Sequence, residues 1–200
     1  MKAMIPPGRN LIHPHFIIIT LIIAGITALF LGFTGAYIYS RVQQGIAPVQ
    51  IPSLFYFNTL LIVASSITLI YAKKCYENDD SLMFKVSLWC TLLLTIAFLI
   101  MQIKAWDQLT AANAGLTSST LASYMYLISG LHFLHLVAGI PFLGYFLYNM
   151  HIRMKDPVTV LVYFIDPERK RSLRILNIYW HFLDALWIYL ILFFLVNYMI

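Results

Sequence analysis

A chain of 200 residues that is 61% hydrophobic, only 10% charged and of formal net charge +5 carries more apolar surface than a globule of its size can bury. Lipid must solvate much of it, and almost nothing is left over for a water-soluble domain. The positive balance is accounted for by anionic lipid and by the placement of Lys and Arg about the membrane, so no nucleic-acid partner is expected.

Crossing a hydrocarbon core of ~30 Å takes about 20 residues of helix. Runs of that length predict five helices, over roughly 15–41, 52–74, 82–106, 120–150 and 174–200, in one domain covering 1–200. None shows the alternation of a membrane β-barrel, so the fold class is an all-α integral membrane protein, a bundle of five transmembrane helices.

Lys2 and Arg9 precede the first run, which is far longer than the ~7–15-residue core of a signal peptide and reads as an uncleaved span. His13 and His15 flank Pro14 and are given no chemistry. Lys2, Arg9, Lys73, Lys74, Lys85, Arg153, Lys155, Arg169, Lys170, Arg171 and Arg174 fall on one side of the five spans, against Arg41 and Lys104 on the other. The amino terminus is therefore expected in the cytoplasm and the carboxyl terminus outside.

The second span holds FNTLLIVASSIT, in which Asn58, Thr59, Ser65, Ser66 and Thr68 can bond across helices or to their own backbone. Gln102, Lys104, Trp106 and Asp107 close the third span at the outer interface, as an amphipathic Trp and a snorkelling Lys suggest. Cys75 and Cys90 have no CxxC or Cys/His spacing, so no redox or disulfide role is assigned.

The fourth span carries SGLHFLHLVAG, with His132 and His135 three apart between Gly130 and Gly139, where small residues let another helix approach. After it comes DPVTVLVYFIDPERKR, whose apolar stretch between two Asp-Pro pairs is too short to span. It is expected at the interface or against a partner.

The last span contains NIYWHFLDALWIYL. Helical spacing puts Asn177, Trp180, His181, Asp184 and Trp187 on one stripe. An ionisable group at membrane depth costs about 2.5–3.5 kcal/mol on insertion scales, so this stripe faces protein or a lipid headgroup. Three readings of the histidines stay open: metal or haem ligands, proton-relay groups, or hydrogen-bonded packing residues. A bis-histidine haem would need facing helices, His132 or His135 with His181. A transporter with the polar stripe lining its path is a further reading.

YWHFLDALWIYL at 179–190 closely resembles the carboxyl-terminal signature Y-W-H-F-x-D-x-x-W of subunit III of haem-copper terminal oxidases. SGLHFLHLVAG at 129–139 is similar to that family's T-G-x-H-x-x-H-x-x-x-G segment. IPSLFYFNTLLIVASSITL at 51–69 is similar to its P-x-x-N-T-x-x-L-x-x-S-S motif. The three lie in the family's order, and the five spans resemble its five-helix bacterial form, which lacks two amino-terminal helices.

The resemblance implies a non-catalytic subunit with no cofactor of its own, in a multi-pass bacterial cytoplasmic (inner) membrane complex. Haems and copper lie in partner subunits, and dioxygen is reduced to water with proton pumping in subunit I. Expected partners are subunit I directly, subunit II, other respiratory-complex subunits and membrane phospholipids, which in the family occupy a cleft between helix groups. The family role is to stabilise subunit I, support proton uptake and protect against turnover inactivation. A quinol oxidase subunit III is the alternative, and an autonomous haem-binding electron carrier a more distant one.

On this resemblance His132, His135, Trp180, His181, Asp184, Trp187, Asn58, Ser65 and Ser66 are expected as packing, hydrogen-bonding and lipid-site residues. Two departures stand out. AGITALFLG at 24–32 lacks the family's buried glutamate, and Ala105 stands in QIKAW where the family often has an acid.

Overall fold

The computed structural model describes residues 14–154 and 156–200; Lys2, Arg9, His13 and Lys155 lie outside the described residues. The chain forms α1 (Pro14–Gln44), α2 (Ser53–Glu77), α3 (Ser81–Ala111), α4 (Thr120–Arg153), α5 (Pro157–Ile165) and α6 (Pro167–Met199). All but α5 are long and apolar enough to cross a membrane.

Local chemistry sets the helix ends. The N–H of Met83 donates to the Asp80 carboxylate at 3.1 Å, that of Ala122 to Ser119 Oγ at 3.1 Å, and that of Glu168 to Asp166 at 2.9 Å. Each satisfies one of the orphan donors of a first turn. Pro157 and Pro167 stand at the starts of their helices, where no N–H is missed. The turns after α1, α2 and α3 place Gly45, Asp79 and Asn113 at φ of 58°, 56° and 58°, the left-handed region these residue types tolerate.

α2 and α3 pair through the short 78–80 turn, and α6 packs against α1, α2 and α4, with α3 on α4. α1 leans on α4 and α6 rather than on α2. Two apolar clusters fill the bundle. One, around Phe55, Phe98, Leu183 and Trp187, spans the half where α1 ends. The other, around Leu69, Phe84, Phe146, Leu176 and Trp180, spans the half where α2 ends and α6 begins.

One feature differs from the reading of the sequence. The last helix starts at Pro167 rather than near residue 174, because Glu168, Arg169, Lys170 and Arg171 lower hydropathy yet are good helix formers behind an Asp-Pro cap. The short apolar stretch folds as α5 with one side on its own bundle: Tyr163 and Phe164 are buried, the Tyr76 hydroxyl donates to the Tyr163 carbonyl at 3.2 Å, and the Phe164 ring lies 5.0 Å from that of Tyr76. Leu161, Val162 and Ile165 remain exposed on the other side.

Candidate functional site

The polar stripe in the membrane-length part of α6 faces inward. Asn177, Trp180, Asp184 and Trp187 are buried, and His181 sits at the edge with about a third of its side chain exposed (34%). Trp180, His181 and Trp187 find their partners on α2, whereas Asn177 Nδ2 donates to the Leu173 carbonyl of its own helix at 2.9 Å. Trp180 Nε1 donates to Ser65 Oγ at 3.2 Å, Trp187 Nε1 donates to Thr59 Oγ1 at 3.2 Å, and His181 Nδ1 lies 2.8 Å from Ser66 Oγ. Trp180 and Trp187, two turns apart on α6, thus meet Ser65 and Thr59 on the facing helix. Asp184 Oδ2 is 3.8 Å from His181 Nδ1, a distance at which the two groups interact without a hydrogen bond.

A second contact ties α2 to α3. Asn58 Nδ2 donates to Gln102 Oε1 at 2.8 Å, with both residues fully buried. Gln102 is therefore an interior residue, not an interfacial one. Trp106, one turn on, donates its Nε1 to Ser129 Oγ of α4 at 3.0 Å, while Lys104 is exposed. Thr68 and Thr91 complete the α2–α3 joint with their hydroxyls 2.9 Å apart. The spacing Ser87, Thr91, Thr95 could have flagged this face, since four-residue steps stack on one side of a helix and all three are buried.

His132 and His135 do not share an environment. His132 is fully buried, its ring 5.1 Å from Trp187 and 5.9 Å from Phe98. His135 lies over Phe30 of α1 at 6.0 Å with Nδ1 2.7 Å from the Leu131 carbonyl. Its own carbonyl accepts from the Tyr179 hydroxyl at 2.9 Å. Gly139 lets α6 come this close: a Cβ there would stand 3.0 Å from Tyr179 Cε1 and 3.3 Å from Trp180 Cζ3.

The arrangement is a set of donors and acceptors closing four helices, α2, α3, α4 and α6, on one another. Among the described residues no group of three or more His, Cys, Asp or Glu side chains is placed to hold a metal ion. The sequence model of cytochrome c oxidase subunit III matches residues 29–199, a stretch that contains every contact above. The chain belongs to that family.

The cytochrome c oxidase subunit 3 of Bacillus sp. (strain PS3) is 26% identical over 190 residues, covering 92% of this chain and 84% of that protein. That of Thermostichus vulcanus is 26% identical over 184 residues, covering 89% and 86%. The longer protein of Emericella nidulans aligns over 147 residues at 26%, covering 74% of this chain and 49% of its own length. As a subunit III, the chain is an accessory, multi-pass membrane component of an oxidase whose other subunits associate with it, and the family is not itself a metal-binding one.

Proposed function

We propose that this subunit III serves a bacterial cytochrome c oxidase of the cytoplasmic membrane, stabilising subunit I, binding phospholipid and supporting proton uptake while dioxygen is reduced next door. Its contribution is a bundle held in register by the α2–α6 row, and that row is the observation carrying the reading. Asn58, Ser65, Ser66, Trp180, His181 and Trp187, expected as packing and hydrogen-bonding residues, bond across helices or lie buried between them rather than converging on a common centre. Bacterial relatives bearing the name of cytochrome c oxidase favour cytochrome c over quinol as donor.

In this reading the end carrying Lys73, Lys74, Lys85, Arg153 and the Arg169–Arg174 cluster faces the cytoplasm. The test is deletion of this chain from its host. Membranes should keep the oxidase haem spectrum and an initial rate of cytochrome c oxidation, with activity decaying in fewer turnovers. A purified chain that carried stoichiometric haem with no other subunit present would sink the proposal.

A further inference from the structure

Three fully buried polar side chains keep hydrogen-bonding atoms with no partner among the described residues: Asn58 Oδ1 on α2, Gln102 Nε2 on α3 and both ring nitrogens of His132 on α4. They share one neighbourhood. Asn58 and Gln102 are already bonded through their other amide atoms at 2.8 Å. Along α3, Gln102 stands between Phe98, whose ring is 5.9 Å from that of His132, and Trp106, which bonds Ser129 one turn before His132. The antiparallel register of α3 and α4 therefore sets the Gln102 amide beside the imidazole.

The open atoms are one amide carbonyl, one amide N–H and a neutral imidazole that accepts at one nitrogen and donates at the other. Turning both amides over changes nothing, because the Asn58–Gln102 bond then runs in the opposite sense and again leaves one carbonyl and one N–H open. Buried atoms of this kind oppose folding unless something bonds them.

Phe55, Phe98 and Trp187 close the surroundings, all three buried in the same apolar cluster, so neither an acyl chain nor bulk solvent reaches the group. An ion does not suit the set, since a cation would meet the Gln102 N–H and an anion the Asn58 carbonyl. One water molecule does: it gives its two O–H groups to Asn58 Oδ1 and the unprotonated His132 nitrogen and accepts from Gln102 Nε2. Three bonds is the usual number for a buried water. The protonated His132 nitrogen is left among the rings of Trp187 and Phe98, centred 5.1 and 5.9 Å away, whose faces are weak acceptors. We propose that Asn58, Gln102 and His132 bind a single structural water that joins α2, α3 and α4.

The test is an electron cryo-microscopy map of the intact oxidase complex, at a resolution that shows ordered waters elsewhere in it. One solvent peak is expected about 2.7–3.2 Å from Asn58 Oδ1, Gln102 Nε2 and one His132 nitrogen. Gln102→Met keeps the length of the side chain but removes the donor, and His132→Phe removes the imidazole. Each is expected to lose the peak. The map of the unaltered complex decides the matter by itself if neither variant assembles.

No peak at this position, with the three side chains in place and waters visible elsewhere, overturns the site while leaving the family role intact. A direct bond from Gln102 Nε2 to a His132 nitrogen overturns it too, because no bridging molecule is then needed. A peak bonded at about 2.0–2.2 Å to a His132 nitrogen would be a metal ion, with the same result. So would a peak that survives both Gln102→Met and His132→Phe, since neither residue could then be holding it.

Discussion

Ser66 of α2 and His181 of α6 face each other at the middle of the bundle, Oγ and Nδ1 2.8 Å apart. The imidazole also stands beside the buried Asp184 carboxyl, so a single hydroxyl from α2 fixes the ring that borders the least lipid-compatible group of α6. In membranes such interhelical bonds average about 0.6 kcal/mol with a ceiling near 1.7. Ser66→Ala and His181→Phe are each expected to destabilise the bundle. Their double-mutant cycle, read by thermal unfolding in detergent, should show a coupling of about 1 kcal/mol. A coupling of zero would mean that the two groups do not bond in the membrane.

The Asn58–Gln102 contact makes a different prediction because both amides are fully buried and each keeps a second polar atom, Asn58 Oδ1 and Gln102 Nε2, with no partner among the described residues. Gln102→Leu strands the Asn58 amide and should cost about 1–3 kcal/mol. Asn58→Leu with Gln102→Leu removes the whole polar pair and should recover most of that loss. Unfolding midpoints of the two singles and the double decide it. Additive losses would show that the amides do not depend on each other.

Gly139 and Gly144 lie on the same helix and should respond oppositely to alanine. At Gly139 the new Cβ meets Tyr179 and Trp180 at 3.0 and 3.3 Å, against ring atoms held by hydrogen bonds to His135 and Ser65. Overpacking of this kind costs about 1–3 kcal/mol. At Gly144 nothing lies within 4 Å, and Gly144→Ala should be neutral or gain up to ~1 kcal/mol of helix propensity. Retention of the subunit through purification, alongside its melting temperature, would report both.

The five spans and the inward face of α6 were legible because each is written in one helix: an apolar run long enough to cross, and polar residues at steps of three and four. What a single helix does not carry was not legible. Gln102 reads as an interfacial residue until Asn58, 44 positions away, is brought opposite it. His132 and His135 look alike at a spacing of three, yet that step is a rotation of about 60° between their directions. In a close-packed bundle this sends one ring to Trp187 and the other to Phe30. The start of α6 was hidden by its charged residues, whose low hydropathy says nothing against a helix.

Sidedness can be checked on the turns. Asn113, after α3, and Asn78, after α2, lie at opposite ends of the bundle and are both exposed. On the proposed topology, with the amino terminus in the cytoplasm, Asn113→Cys should react with a membrane-impermeant maleimide in intact spheroplasts. Asn78→Cys should react only after permeabilisation. Background is low because Cys75 is buried and Cys90 half-buried. The reverse labelling pattern would invert the topology and put the Lys- and Arg-rich end of the bundle on the outer face.

Tyr76 and Tyr163 offer the sharpest contrast, since two hydroxyls at one joint have opposite standing. The Tyr76 hydroxyl donates to the Tyr163 carbonyl at 3.2 Å and so pins α5 to the end of α2. The Tyr163 hydroxyl is buried with no partner among the described residues, and burial pushes its pKa above the ordinary phenol range, so it stays neutral. A buried hydroxyl left without a partner opposes folding, whereas one that is bonded contributes about 1 kcal/mol. Tyr76→Phe should loosen α5 and speed protease cleavage in the 154–167 segment. Tyr163→Phe should leave cleavage unchanged or slow it, at equal or higher melting temperature. If Tyr163→Phe were instead the more damaging change, its hydroxyl must meet a group outside this chain, and the oxidase subunit beside α5 would be the place to look.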